Sequence, residues 1–307
     1  MGKLLQTYGL TKQFGKHRAV DHVDVHVNRG AIYGFIGRNG AGKTTFLRMI
    51  CGLAAPTEGE IEIFGCRGRE LQDIRSRIGC LIEGPGLYGN MTAEENLNIK
   101  CRFCGIRKPG YIEELLDIVG LSGVGRKKTK KFSLGMKQRL GIAMALVGEP
   151  DFLVLDEPIN GLDPQGIVEV RDTILTLNHE RNITIIISSH ILEELSKIAT
   201  DYGIIHNGCL LQELTREELM ERCSERIEIC LNQPKEACPV LDRLGFTNYR
   251  VVDAEHIHVF ERLEESGRIN MELAKAGIMV KGLSVTSEEL ESYFLNLTGG
   301  AAHVKHG

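Results

Sequence analysis

The 307-residue sequence lacks several features, and each absence narrows what the protein can be. Its most apolar stretch, Ile183 to Ile187, falls far short of the roughly 20 residues a membrane-spanning helix needs. The N-terminus has no apolar signal core. Met1-Gly2 opens the chain, but Gln6 stands where a myristoylation motif wants Ser or Thr. Such a chain is expected to stay in the cytosol and to reach a membrane only by docking on a partner. Long runs of one charge are also missing. The formal net charge is −4, and only Arg126-Lys127-Lys128-Thr129-Lys130-Lys131 concentrates a sign. No aromatic platform accompanies that stretch, so it reads as a solvated loop, and no nucleic-acid partner is expected. Sustained heptads are absent, which excludes a long coiled coil. The nine cysteines are scattered, and no second pair answers Cys101 and Cys104 to complete a metal site. They are expected to be reduced, mostly buried small hydrophobes.

What is present is the balance of an ordinary globular protein, with 42% hydrophobic and 25% charged residues. The length suits one large domain and a smaller one. Strand patterns cover Leu4 to Leu10, Ala19 to Val27, Ala31 to Ile36, Ile61 to Phe64 and Ile78 to Ile82. Helical spacing covers Lys43 to Cys51, Tyr111 to Val119 and Leu134 to Val147. Thr92 and Glu95 form a capping-box pattern that opens a helix through Phe103. Further strands, Phe152 to Leu155 and Ile183 to Ser188, flank a helix over Pro164 to Leu177. Strands alternating with helices predict an α/β fold with a mostly parallel sheet covered on both faces. A domain over 1–215 is expected, with a helical subdomain at about 84–150. Beyond it, 216–307 repeats strand–helix–strand twice, which suggests a small α+β domain of ferredoxin-like type.

Three segments carry chemistry. Gly37-Arg38-Asn39-Gly40-Ala41-Gly42-Lys43-Thr44 fits the P-loop pattern, after a strand and opening a helix. Its glycines let successive N–H groups converge on phosphate oxygens, and the helix N-terminus adds partial positive charge. Lys43 would supply a cation to the β- and γ-phosphates, and the Thr44 hydroxyl a ligand for Mg²⁺. In Phe152-Leu153-Val154-Leu155-Asp156-Glu157 a buried strand ends in two carboxylates, at the sheet edge where ligands sit. There Asp156 is placed to hold Mg²⁺, and Glu157 to polarise an attacking water. The third segment is Phe132-Ser133-Leu134-Gly135-Met136-Lys137-Gln138-Arg139, in which Ser133 can cap the following helix.

With that third segment the sequence resembles the ABC (ATP-binding cassette) ATPases, whose signature is LSGGQ or a close variant. The resemblance covers about 215 residues, with the motifs in the expected order. It implies a P-loop NTPase fold and ATP hydrolysis. It also implies nucleotide contacts at Phe14, Gly37, Arg38, Asn39, Gly40, Ala41, Gly42, Lys43, Thr44 and Thr45. From the second copy's side, Ser133, Gly135 and Asp163 would complete the site. Leu134 and Met136 depart from the family's Gly and Gln. Asp163, in Asn160-Gly161-Leu162-Asp163, is also expected to cap the Pro164 helix, and His190 of Ser188-Ser189-His190 to contact the γ-phosphate. Glu83 stands where the family usually has glutamine, a position that reaches Mg²⁺ and the attacking water.

With Gly84-Pro85-Gly86-Leu87-Tyr88 after it, Glu83 looks like the branch that includes bacitracin-resistance and lantibiotic-immunity ATPases. The implied partners are a second ATPase subunit, identical or homologous, joined head to tail, and an integral membrane permease. The subunit would then sit at the inner face of the cell membrane and drive export of an antimicrobial peptide or another amphipathic compound. ABC proteins of translation or DNA repair generally carry two cassettes or long coiled coils, and this chain shows neither. A small-molecule kinase leaves the signature, Asp163 and His190 unexplained.

Overall fold

A computed structural model describes residues 2–286 and 290–299. The chain divides into two compact units, 1–216 and 217–307. In the first, β1 (Lys3–Phe14), β2 (His17–Val23) and β3 (His26–Asn28) precede β4 (Ile32–Ile36) and α1 (Lys43–Ile50). Then come β5 (Glu58–Ile63), β6 (Cys66–Arg67), β7 (Ile78–Leu81), α2 (Ala93–Phe103), α3 (Tyr111–Ile118) and α4 (Leu134–Ala145). The unit closes with β8 (Phe152–Asp156), α5 (Pro164–Arg181), β9 (Thr184–Ser189), α6 (Leu192–Ser196), β10 (Asp201–His206) and β11 (Cys209–Thr215).

Two sheets result. An antiparallel one runs β2-β1-β5-β6, with β3 also on β1. The other runs β11-β10-β4-β9-β8-β7, parallel throughout except for β11 at its edge. Strands β4, β8 and β9 are buried at every position, which explains why they read as continuous apolar runs instead of alternating ones. Asp156 ends β8, and Ser188 and Ser189 end β9.

The sequence pattern over Ala19 to Val27 divides into β2 and β3, because Asp24 and Val25 lie between the two strands. There the Val25 amide donates to Thr7 Oγ1 at 2.8 Å. The β10–β11 hairpin carries no strand expectation from the sequence. Its Asn207-Gly208 turn, with positive φ of 48° and 81°, is nevertheless a strong hairpin signal.

The segment between β7 and β8 holds α2, α3 and α4. The Thr92 hydroxyl accepts from the Glu95 amide, and the Glu95 carboxylate from the Thr92 amide, so the capping box is complete. Helix α4 lies close to the chain just after β7. A Cβ added at Gly141 would meet Pro85 Cβ at 2.8 Å and Leu81 Cδ1 at 3.0 Å.

The second unit holds α7 (Arg216–Cys223), β12 (Arg226–Leu231), α8 (Pro234–Arg243), β13 (Tyr249–Val251), β14 (His256–Val259), α9 (Ser266–Lys275), β15 (Val280–Thr286) and α10 (Leu290–Leu297). Its strands are ordered β13-β14-β12-β15, and every pairing is antiparallel. Ile227, Ile229, Leu231, Ile257 and Val259 form its core with Ala237 and Leu241 of α8 and Ile269 and Leu273 of α9.

Candidate functional site

The loop from Gly37 to Gly42 connects the end of β4 to α1. Gly42 sits at the helix N-cap with φ 109°, a backbone region L side chains rarely adopt, and a Cβ there would lie 2.3 Å from Ala19 O. A Cβ at Gly37 would lie 2.6 Å from Ile205 O. The loop is thus pressed against its surroundings, and the first-turn N–H groups of α1, including Thr44 and Thr45, have no intrahelical acceptor.

Lys43 is only 5% exposed, so its ammonium must be matched. Nζ donates to Gly37 O at 2.6 Å and Arg38 O at 3.3 Å, and lies 3.1 Å from Glu157 Oε1. The two carbonyls take two of the three donors an ammonium has. The Lys43–Glu157 pair is an ion pair without hydrogen-bond alignment, so Oε1 lacks a true donor. The other Glu157 oxygen, Oε2, is 2.8 Å from His190 Nδ1.

Asp156, buried at the end of β8, has both oxygens engaged. The Thr44 hydroxyl donates to Oδ2 at 2.8 Å and the Ser188 hydroxyl to Oδ1 at 2.6 Å. The same Ser188 oxygen accepts from the Glu157 amide at 2.9 Å. Glu157 adopts φ 48°, the left-handed region, where a non-glycine residue is strained by about 1–3 kcal/mol. Ser188, fully buried on β9, therefore orients one carboxylate and anchors the backbone of the next. Its role is not visible in the sequence, because a serine near the end of an apolar strand carries no signal of its own.

Lys43, Thr44, Asp156, Glu157 and His190 are thus brought together. Glu83 is not part of that cluster. It sits just after β7 with φ 61°, largely exposed, and its Oε1 pairs with Arg48 Nη2 of α1 at 2.5 Å. Phe14 is 55% exposed, with Lys12 Nζ 5.1 Å from its ring centroid.

A second group lies at the N-termini of α4 and α5. Ser133 caps α4, its hydroxyl accepting from the Met136 amide at 3.2 Å. Gly135 is buried, and a Cβ there would meet Gly166 Cα of α5 at 3.4 Å, so its small size serves the packing of the two helices. Asp163 occupies the N-cap position of α5 but makes no side-chain cap hydrogen bond, contrary to the capping expected of it. Asp163 is exposed, and its Oδ1 lies 2.8 Å from where a Cβ on Gly166 of α5 would stand.

Among the described residues no group of three or more His, Cys, Asp or Glu side chains could hold a metal ion, and no helix is long and apolar enough to cross a membrane.

This geometry can be set beside known proteins. The ABC transporter family model matches residues 20–160. The bacitracin transport ATP-binding protein of Bacillus licheniformis is 45% identical over 302 residues, covering 98% of this chain and 99% of that one. The chain belongs to the ABC transporter ATP-binding family. A lantibiotic transport ATP-binding protein of Streptococcus pyogenes is 42% identical over 210 residues, covering 68% of this chain and 90% of that protein. Among solved structures, a dimeric ATP-binding cassette in a post-hydrolysis state with ADP and Pi superposes with a TM-score of 0.62 at 25% identity, covering 69% of this chain and 98% of that one. This ABC protein is accordingly a nucleotide-binding ATPase subunit of a transporter. Its family works through paired cassettes and a membrane partner.

Proposed function

We propose that this ABC subunit hydrolyses ATP with Glu157 as the base acting on water. In this reading the site is completed by a second cassette, and the energy drives export of a peptide antibiotic or a related amphipathic compound. The observation that carries it is the linked chain Lys43–Glu157–His190 beside Thr44–Asp156–Ser188. The relatives named for bacitracin and lantibiotic transport support the substrate class.

The phosphates of ATP would displace Gly37 O and Arg38 O from the Lys43 ammonium. That releases Glu157 from its ion pair, and its carboxylate then accepts a proton from the attacking water. His190, on the other Glu157 oxygen, holds that carboxylate in place. The Thr44 hydroxyl and the Asp156 carboxylate, 2.8 Å apart, are the hard oxygen donors Mg²⁺ prefers, so the donor set fits. Bound there, the ion would neutralise phosphate charge. Phe14, exposed at the end of β1, offers a ring to the adenine.

Ser133, Gly135 and Asp163, at the starts of α4 and α5, would meet the partner's nucleotide, so that ATP bridges two subunits head to tail. Glu83 lies beside Pro85, which abuts Gly141 of the signature helix α4, and we assign it the coupling of site closure to the permease at the inner membrane face. The second unit, over about 216–307, is read as a ferredoxin-like accessory domain on its strand order.

The test is Glu157→Gln in Mg-ATP, with mass measured by light scattering. A stable dimer that falls apart when ATP is removed supports the reading. A strictly monomeric protein, with the permease also present, overturns it.

A further inference from the structure

The sheet of the second unit has two unlike faces. Residues alternate along a strand, so those opposite the Ile227, Ile229 and Val259 core face share the other side. There the registers set Glu228 and Arg250 on either side of His258. Over this face lies a cavity of about 520 Å³, also reached by residues of α7 and α10. Its size falls within the roughly 300–1,000 Å³ of small-molecule sites.

The polar lining carries three guanidinium groups, Arg222, Arg226 and Arg250, and two carboxylates, Glu218 and Glu221. Arg250 is matched by Glu221 at 2.6 Å. The other two arginines donate to uncharged oxygens. Arg222 Nη1 bonds the Tyr293 hydroxyl at 2.7 Å, and Arg226 Nη1 bonds Arg222 O at 2.9 Å. Arg226 Nε, buried behind the fork, has no acceptor among the described residues. Burial, and then the Arg226 charge, hold the His258 imidazole below its usual range, with His256 adding to this and Glu228 and Asp253 opposing. The apolar part of the wall comes from Phe260, edge-on to His258 with ring centroids 6.1 Å apart, and from the Tyr293 ring.

We propose that this cavity binds a small organic anion, its phosphate or carboxylate group against Arg222 and Arg226 and its apolar or aromatic body against Phe260 and Tyr293. Guanidinium forks match such oxyanions in a bidentate way, and partial burial strengthens the pairing. The aromatic walls select a ligand with an apolar part over a bare ion. The site belongs wholly to the second unit and takes no residue from the ATPase cluster.

The test uses the full chain carrying Lys43→Ala, which weakens phosphate capture at the P-loop, and phenyl phosphate as the probe. Histidine side-chain NMR is the readout, with His258 assigned through His258→Gln. Saturable movement of the His258 signals is expected, with the imidazole pKa rising as an anion arrives beside it. Binding should weaken by roughly tenfold or more in Arg226→Gln and in Arg222→Gln, the loss of one charge-assisted contact. Inorganic phosphate should bind several-fold more weakly than the probe. Should Arg226→Gln fold poorly, Arg226→Lys keeps the charge without the fork and is expected to weaken binding by less. A His258 signal that does not move, or that titrates with the same affinity in both arginine variants as in the parent, overturns the proposal. Equal binding of inorganic phosphate overturns the role given to the aromatic walls.

Discussion

In the first unit, β4, β8 and β9 run parallel and are buried along their whole length, and the groups of the site stand where the strands stop. Lys43, Asp156, Glu157, Ser188 and His190 all come from such ends or the turn after one. In the second unit the strands are antiparallel and one face of the sheet is open. Polar groups there appear along the strands, at every other residue, as Arg226, Glu228, Arg250 and His258 do. A parallel sheet therefore concentrates chemistry at one edge and writes it as an apolar run followed by a carboxylate or a glycine loop. An antiparallel sheet spreads polar groups over a surface, where they read as ordinary alternation.

The contrast can be broken or sharpened by experiment. Glu157→Gln should have the largest effect, lowering the turnover number by about 10²–10⁴ while nucleotide binding persists, the range for removing a general base. Steady-state ATPase and nucleotide titration check it. Turnover close to the parent's would take Glu157 out of the chemistry.

Ile229→Ala, in the fully buried core of the second unit, should cost that unit about 2–5 kcal/mol and leave the first unit's melting unchanged. Calorimetry resolves the two. A single transition shifted as a whole would show that the units do not melt separately.

Ser188→Ala removes the hydroxyl that joins Asp156 to the Glu157 amide. Hydrogen bonds to charged groups are worth about 1.5–3 kcal/mol, so turnover should fall roughly 10–100-fold. The Michaelis constant for ATP should hold while the Mg²⁺ concentration for half-activity rises. A matched loss of folding stability, with unchanged Mg²⁺ dependence, would reduce Ser188 to a packing role.

Thr92→Ala should be the mildest change, costing about 1 kcal/mol through the lost cap of α2, as read by denaturant titration. The capping box has a pH dependence of defined sign. The bond from the Thr92 backbone amide holds the Glu95 carboxyl below the usual glutamate range. The stability it contributes is therefore present above the unfolded-state pKa and is lost as pH falls through the lower folded one. Thr92→Ala keeps that backbone amide, so parent and variant should lose this contribution alike on acidification, and the difference between them should stay nearly constant.

Much of the first unit was legible in its sequence. The P-loop, the acidic strand end, the Thr92–Glu95 box and the Ser133 cap are each made within a few neighbouring residues, so spacing alone exposes them. The Asn207-Gly208 hairpin is equally local but stands out less, because its flanking strands alternate weakly. The pairing of Glu83 with Arg48 was not legible, since the partners lie in separate elements. Nor was the unused cap of Asp163, because a residue type suited to capping does not dictate where its side chain turns.

By itself the sequence determined which short segments could cradle a triphosphate, since each needs only backbone freedom and one or two adjacent functional groups. Only the tertiary structure decided that Ser188 ties two carboxylates into one arrangement and that arginines from a helix and two strands meet over one sheet face. Those contacts depend on strand order and register, which bring together residues far apart in the chain.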